Sequence, residues 1–304
     1  MIIKLEDINP GNRGVLFIGG RGRVASATGV RLLDSERLVV CSLAGQRLYL
    51  MRYDVARGAH QIIDSIPTTY QGEAVCSDLI DYDGSGLLVV SNCKHNSATL
   101  YRIENDQLGY VKDIPIRDGS SAFCHGARFV PEAPGIVCLT CVRGDRNVYF
   151  ISTSTAEIVY QFGHEQWRPH DVSFLDARRM VVVYERGKPT KRSSERYGAK
   201  AVLISFDLVN RVHELHGEIE FPEAHMDCCQ VCGDRLYITN QMRDTVVVCR
   251  LAGDRIAFER EIPGFSFPHG LDLLPASDLL AVTNYGNNTV MLTELRTPAS
   301  RPPS

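Results

Sequence analysis

Four of the nine histidines occupy the same position in a short phrase that recurs along the chain. They are His125, His170, His225 and His269, and the clearest copy of the phrase is PHGLD at 268–272. Imidazole nitrogen is a preferred ligand of divalent transition metals. We therefore predict that three or four of these histidines bind one such ion, which would be zinc, iron, copper, nickel or manganese, with zinc slightly favoured.

Two other interpretations of the same histidines stay open. The imidazoles could act as acid/base or hydrogen-bonding groups without a metal, because the ordinary pKa of histidine lies close to neutral pH. They could also line a hydrated channel that carries no chemistry.

The phrase belongs to a repeat that predicts the fold. Its six copies begin at Thr28, Ser77, His125, His170, His225 and His269, at intervals of about 50 residues, which is a repeat length typical of propeller blades. Short apolar runs separated by Gly, Asp, Asn and Pro indicate strands and turns, and no segment shows a helical period. About four strands fit in each copy, for example near 77–82, 87–92, 98–103 and 109–115. The sequence therefore predicts an all-β, six-bladed β-propeller with four-stranded blades.

The two ends of the chain predict how the ring closes. The last copy has strands near 269–274, 279–284 and 289–295, and a proline-rich stretch follows that cannot pair as a strand. We predict that residues 1–5 or 14–18 supply the missing outer strand, which would remove an exposed sheet edge. Residues 1–304 would then form a single domain, with 296–304 as a flexible tail.

Strand direction places the candidate site at one mouth of the central channel. The first position of each copy and the end of each second strand face that mouth, which adds Glu185 and the three asparagines Asn92, Asn240 and Asn284. The segments before each copy add aromatic and charged residues of the kind that line small-molecule pockets. We predict catalytic roles for Glu73, Glu185, Tyr70 and Arg168, and substrate-binding roles for Arg21, Arg23, Asn92, Asn240, Asn284 and Trp167.

A basic insertion in the fourth copy, residues 186–199, would emerge on the same face, either as a lid over an anionic substrate or as a surface loop. The net charge of −3 gives no indication of nucleic-acid binding, and no stretch reaches the length of a membrane span. With no secretory signal, the ten cysteines are interpreted as free thiols of a cytoplasmic protein.

The repeat phrase, with its strand LAVTN at 280–284, resembles that of six-bladed propellers of the gluconolactonase/regucalcin and NHL-repeat type. In gluconolactonase-like enzymes the first residue of the phrase is often Asn, Asp or Glu and binds a calcium-class ion, whereas this chain has imidazoles there. The peptidyl-hydroxyglycine lyase domain is similar in ligand type, since it holds a zinc ion with three histidines in an NHL propeller. The resemblance therefore implies a metal bound by histidine in the channel.

These observations predict a metal-dependent enzyme, a lyase or a lactone/ester hydrolase, acting on a small polar molecule, with an anionic one favoured. Two alternatives remain: a non-catalytic binding or scaffold propeller, and a metal-free enzyme that uses histidine as acid and base. The oligomeric state is not predicted.

Overall fold

The computed structural model describes residues 1–4, 16–17, 23–24, 27–117, 122–186 and 198–295. These residues form a six-bladed β-propeller of four-stranded antiparallel blades arranged in a ring. Within the described part of the chain, the one helical element is a 3₁₀ turn, Pro275–Ser277.

The strands follow the chain in regular order. Before the first blade come β1 (Ile2–Lys4), β2 (Leu16–Phe17) and β3 (Arg23–Val24). The first blade is β4 (Ala27–Leu32), β5 (Arg37–Ser42), β6 (Arg47–Asp54) and β7 (Ala59–Pro67), followed by a hairpin of β8 (Thr69–Tyr70) and β9 (Glu73–Ala74). The second blade is β10 (Ser77–Tyr82), β11 (Leu87–Asn92), β12 (Ser97–Glu104) and β13 (Gln107–Pro115). The third is β14 (Ala122–Phe129), β15 (Ile136–Arg143), β16 (Asn147–Ser152) and β17 (Ile158–Gly163).

The remaining three blades repeat this arrangement. The fourth is β18 (Arg168–Phe174), β19 (Arg179–Arg186), β20 (Gly198–Asp207) and β21 (Val212–Pro222). The fifth is β22 (Met226–Cys232), β23 (Arg235–Asn240), β24 (Thr245–Ala252) and β25 (Arg255–Pro263). The sixth is β26 (Pro268–Leu274), β27 (Leu279–Asn284) and β28 (Thr289–Glu294), completed by β1.

Ring closure by the N-terminus is confirmed. β1 pairs antiparallel with β28, with Ile3 opposite Val290, and Ile3 is fully buried in the core shared by the last and first blades. The predicted tail at 296–304 and most of the insertion at 186–199 lie outside the described residues.

The cores lie between neighbouring blades and form six apolar clusters rich in Val, Leu and Ile. Strands buried on both faces explain why the inner strands appear in the sequence as nearly continuous apolar runs rather than as strict alternation. Cys41, Cys138 and Cys249 lie in these cores as free thiols, as the sequence analysis expects.

Every innermost strand carries a register shift directly after its first residues. In β10 the shift lies between Ser77 and Ile80, and in β22 between Met226 and Cys229, with equivalent shifts in β4, β14, β18 and β26. A β-bulge adds a residue to one strand and turns the neighbouring side chains in a new direction. It therefore allows two nearby residues of one blade to point into the channel.

Hydroxyl groups on the second strands of four blades, the second, third, fifth and sixth, tie each of these blades to the next. Thr140 Oγ1 donates a hydrogen bond to the carbonyl oxygen of His170 at 2.6 Å, and Thr239 Oγ1 donates to that of His269 at 2.8 Å. Ser91 and Thr283 make the same bond to the first strands that follow them. The first strand also needs glycine for this approach, because a Cβ on Gly126 would lie 2.6 Å from Thr140 Oγ1.

A buried ionic layer lies further along the same inner strands. Arg31 contacts Asp81 and Asp272, each at 3.0 Å, and Arg128 pairs with Asp171. Buried charges are tolerated when they are paired and hydrogen-bonded. This layer therefore joins five of the six innermost strands through buried, paired charges.

Candidate functional site

The four histidines converge on one small cavity of about 170 Å³ inside the ring. The ring centroids of His125 and His170 are 4.8 Å apart, those of His125 and His269 are 5.3 Å apart, and those of His170 and His225 are 5.5 Å apart. Each imidazole is between 3% and 8% exposed. The shared register position in the sequence thus corresponds to one cluster in space, although metal binding by these histidines stays a prediction.

Three buried carboxylates join the imidazoles. Glu185, which was among the predicted residues, lies near the end of β19, while Asp78 and Asp227 come from the bulged starts of β10 and β22. None of the three carboxylates is more than 2% exposed. Asp78 and Asp227 were missed because the sequence argument followed a single position per copy. The signal that could have identified them is an aspartate one residue after Ser77 and two residues after His225, where the bulge redirects the side chain.

One half of the cluster has wide spacing between its nitrogen and oxygen atoms. His125 Nε2 lies 3.7 Å from Asp78 Oδ2 and 3.5 Å from Asp227 Oδ1. His269 Nε2 lies 3.5 Å from Asp78 Oδ1 and 3.9 Å from Asp227 Oδ2. These separations are longer than a hydrogen bond. They are close to the ~3.4 Å that separates ligand atoms around a tetrahedral ion with bonds of about 2.1 Å.

The other half of the cluster is closely packed. His170 Nδ1 is 2.8 Å from Asp227 Oδ1, and His170 Nε2 is 2.7 Å from Glu185 Oε2. His225 Nδ1 is 2.9 Å from Glu185 Oε1, and His225 Nε2 is 3.1 Å from Asp227 Oδ1. Both imidazoles therefore lie between the same two carboxylates.

His125 is oriented in the way that metal-binding histidines usually are. Its Nδ1 donates to the carbonyl oxygen of His170 at 3.0 Å, so Nε2 carries the free lone pair and faces the carboxylates. Burial and the neighbouring His170 hold the pKa of His125 well below its usual range. The neutral form, which is the ligand form, is therefore favoured.

The cluster contains buried polar atoms without hydrogen-bond partners. Among the described residues, Asp78 Oδ1, Asp227 Oδ2, His170 Nε2 and His269 Nδ1 are buried and have no partner with hydrogen-bond geometry. An unpaired buried polar atom costs free energy, and native proteins contain few of them. Four in one cluster indicate that a further group completes the site.

The charges of the closely packed half favour ionised carboxylates and protonated imidazoles. Burial lowers the pKa of His225, but Asp227 and Glu185 more than offset this and raise it to about 10. Burial raises the pKa of Glu185 and of Asp227, but the adjacent imidazoles hold both pKa values well below their usual range. Burial raises the pKa of Asp78 to about 6, against the opposing charge of His269. Asp78 is thus the carboxylate least compensated by the protein itself.

Cationic and aromatic side chains surround the cluster. Lys94, Arg143 and Arg168 line the same cavity, and Arg143 lies over the ring of Phe123 at 4.8 Å. Tyr285 is buried against His269 with ring centroids 5.1 Å apart. Burial, with a contribution from Asp78, raises the pKa of Tyr285 well above its usual range, so its hydroxyl remains protonated. Lys94, Arg143 and Tyr285 were not predicted, whereas Arg168 was.

Several predicted residues lie away from the cavity. Tyr70 and Glu73 face each other in the β8–β9 hairpin, where Glu73 is exposed and Tyr70 packs beside His95. Trp167 is buried in the core of the third and fourth blades, with Lys200 Nζ 5.0 Å from its ring centroid. Of the predicted residues in the segments before the copies, Arg168 lines the cavity, whereas Tyr70, Glu73 and Trp167 do not.

The three predicted asparagines serve the turns of their blades. Asn92 donates to the hydroxyls of Ser97 and Thr99 at 3.0 Å, and Asn284 donates to Thr289 at 3.0 Å. Asn240 accepts from the backbone N–H of Met242. None of the three lines the cavity of the histidines. The end of the second strand turns into the tight connection to the third, which explains why asparagine recurs there.

Two predicted arginines cannot be placed against the site. Arg21 lies outside the described residues, as does the side chain of Arg23, whose backbone forms part of β3.

Comparisons with known proteins show the fold and no family. No protein-family model and no curated protein matches the chain. A protein from Lactobacillus plantarum is 14% identical over 96% of this chain and 91% of its own, with a TM-score of 0.63. Hydrazine synthase of Kuenenia stuttgartiensis is 12% identical over 92% and 99%, with a TM-score of 0.60. The WD40 β-propeller domain of Doa1 is 10% identical over 96% of each chain, with a TM-score of 0.56. At these identities the likeness is one of fold alone.

Proposed function

We propose that this propeller is a metal-dependent enzyme, a lyase or a lactone/ester hydrolase, acting on a small anionic molecule at the mouth of its channel. The observation that carries the proposal is the convergence of four imidazoles and three carboxylates, all buried, on one cavity. Nitrogen and oxygen donors in this combination suit a divalent transition metal.

The wide half of the cluster supplies the ligands that fit best. His125, His269 and Asp78 form a group whose donor atoms all lie within 4.8 Å of one another, and Asp227 borders it at 3.5–3.9 Å. The neutral tautomer of His125 and the unpartnered Asp78 Oδ1 both suit an ion at this position. This assignment keeps two of the predicted histidines and adds two aspartates.

A divalent ion there would polarise a substrate carbonyl or lower the pKa of a bound water. The protein's own residues account for binding and proton transfer. Arg143, Arg168 and Lys94 attract and orient a carboxylate or phosphate group at the cavity wall. His170 and His225 hold protons beside Glu185 and line the cavity, so these imidazoles are placed to donate a proton to the substrate.

The resemblance to the gluconolactonase and NHL-repeat propellers supports this class of chemistry, and the peptidyl-hydroxyglycine lyase type is the nearer in ligands. A cytoplasmic location is part of the proposal, supported by ten cysteines that are all free thiols. The described residues contain no helix with the length and apolar character needed to cross a membrane.

The test is elemental analysis of the untagged protein purified without chelator, together with activity on lactones, esters and hydroxylated amides that carry a carboxylate or phosphate. We expect a stoichiometric transition metal, and loss of metal and of activity in His125→Ala and His269→Ala. His60→Asn, in the outer strand of the first blade, is the matched control. Wild-type protein that remains metal-free after exposure to these ions, or activity that survives both His→Ala changes, would refute the proposal.

A further inference from the structure

We propose that Cys76 and Cys93 form an oxidation-sensitive thiol pair at the wall of the cavity, which hydrogen peroxide converts reversibly into a disulfide. The inference does not depend on metal binding or on catalysis, because neither thiol has a role in the proposed reaction.

The two cysteines lie directly opposite each other on neighbouring segments of the second blade. Ser77 pairs with Asn92 where β10 meets β11, which places Cys76 opposite Cys93 one residue beyond that pair. The backbone N–H of Cys93 donates to the carbonyl oxygen of Cys76 at 3.0 Å, as this register requires. Opposed residues of an antiparallel pair have Cα atoms about 4.5–5.5 Å apart, which lies within the range of roughly 4.4–6.8 Å found in disulfides.

The side chains of the pair are already turned towards each other. The thiol of Cys93 donates to the carbonyl oxygen of Cys76, with Sγ 3.3 Å away, and it also hydrogen-bonds to the Cys76 thiol. Gln46 Nε2 donates to Cys76 Sγ at 3.9 Å. The contacts hold both sulfur atoms in place, so the S–S bond can form without separating the two strands.

Exposure makes Cys76 the member of the pair that an oxidant reaches. Of the ten cysteines, Cys76 and Cys232 are half-buried and the other eight are buried. Cys93 is 2% exposed and lines the cavity, behind Cys76. Cys232 faces Arg235 across its own ladder and therefore has no opposed thiol. Oxidation of Cys76 can thus be resolved by a neighbouring thiol, whereas oxidation of Cys232 cannot.

The third blade provides an internal control. Cys124 and Cys141 are also opposed across two antiparallel strands, but both are fully buried. Susceptibility to oxidation follows exposure. The chain therefore has one accessible thiol pair and one inaccessible pair of the same type.

The oxidation has two steps. The Cys76 sulfur attacks one oxygen of hydrogen peroxide, which breaks the O–O bond, leaves Cys76 as a sulfenic acid and releases water. The thiol of Cys93 then attacks the sulfenic sulfur, forms the S–S bond and releases a second water. The two thiols lose two electrons and two protons, and the peroxide is reduced to water. A soluble dithiol reverses the reaction by thiol–disulfide exchange.

The experiment treats the reduced, folded full-length protein with hydrogen peroxide at pH 7, alkylates the remaining thiols with N-ethylmaleimide in urea and maps the cysteines by mass spectrometry. Trypsin leaves both thiols in one peptide, residues 58–94, because no Lys or Arg lies between Arg57 and Lys94. We expect this peptide to lose two hydrogens and to take up no reagent, and dithiothreitol should restore both thiols. Cys124 and Cys141 should stay reduced and become alkylated.

Three variants separate the two steps. Cys93→Ser should stop the reaction at the sulfenic acid of Cys76, which dimedone traps. Cys76→Ser should leave Cys93 reduced. Cys232→Ser is the matched control and should still form the disulfide.

The wild-type result decides the inference even if a variant fails to fold. A peptide that retains both thiols after peroxide treatment overturns it, and so does a disulfide from Cys76 to any other cysteine. Oxidation of Cys76 to the sulfinic acid while Cys93 remains alkylated overturns it as well. A protein that binds no metal but forms this disulfide refutes the proposed function and supports the thiol pair.

Discussion

Glu185 is predicted to be a main determinant of stability in the metal-free protein. Its carboxylate is 1% exposed and lies within 2.9 Å of an imidazole nitrogen of both His170 and His225. In Glu185→Gln the shape of the side chain stays the same, but two buried protonated imidazoles lose one of their two carboxylates. Breaking a buried charge pair costs about 3–5 kcal/mol, and we expect a loss of that size at pH 7.

The pH dependence gives a second and independent measure of the same interaction. The pKa of His225 is raised from 6.5 to about 10 in the folded protein. The stabilisation of the folded protein by protonated His225 is therefore complete below about pH 6.5, and it declines as pH rises towards 10. At about 1.36 kcal/mol per pKa unit, the shift corresponds to roughly 5 kcal/mol. Glu185→Gln should flatten this decline.

The assay is urea unfolding of chelator-treated protein at several pH values between 6 and 10. Glu218→Gln is the control, because Glu218 also pairs with a cation, Lys200, but is itself largely exposed. A loss below about 1 kcal/mol in Glu185→Gln, or a wild type whose stability does not fall between pH 7 and 10, would contradict the charge assignment.

Three other outcomes are expected. Removal of residues 1–4 exposes the β28 edge and the site of buried Ile3, and should lower the unfolding free energy by at least ~2 kcal/mol in a urea titration. Arg128→Leu leaves Asp171 buried without its partner and should lower the free energy of unfolding by about 3–5 kcal/mol. Adding Asp171→Leu should recover part of this loss, and losses that simply add would contradict the pairing. Among the ten cysteines, Cys76 should react first with iodoacetamide at pH 7, because a hydrogen bond from Cys93, with a contribution from Lys94, lowers the pKa of Cys76 to about 6. Mass mapping that finds Cys232 modified first would count against this.

The repeat was enough to predict the fold because each of its six copies contains the same pattern of strands and turns. Four strands of the second blade were expected near 77–82, 87–92, 98–103 and 109–115, and β10 to β13 lie there to within two residues. Ring closure followed from the missing strand of the last copy. Both inferences depend on periodicity and pairing, which are properties of the chain itself.

Only those site residues that occupy the repeated position could be predicted from the sequence. The four histidines share one register position, and the structure brings them together. Asp78 and Asp227 enter the site through bulges, and a bulge changes which residue faces the channel without changing the apolar pattern. Asn92 and Asn284 recur because their side chains stabilise the turn after the second strand, and they do not line the histidine cavity. Recurrence therefore identifies a shared environment and leaves the role of the residue open.

The hydroxyl bonds between blades link assembly of the propeller to formation of the histidine cluster. Thr140, Thr239 and Ser91 each hold the backbone of a histidine that belongs to the following blade. The cluster draws residues from five of the six blades, and His269 belongs to the one that is sealed by the first residues of the chain. A nascent polypeptide therefore cannot complete this cluster until its last blade has been synthesised, and that blade in turn needs the first strand of the chain as its outer strand.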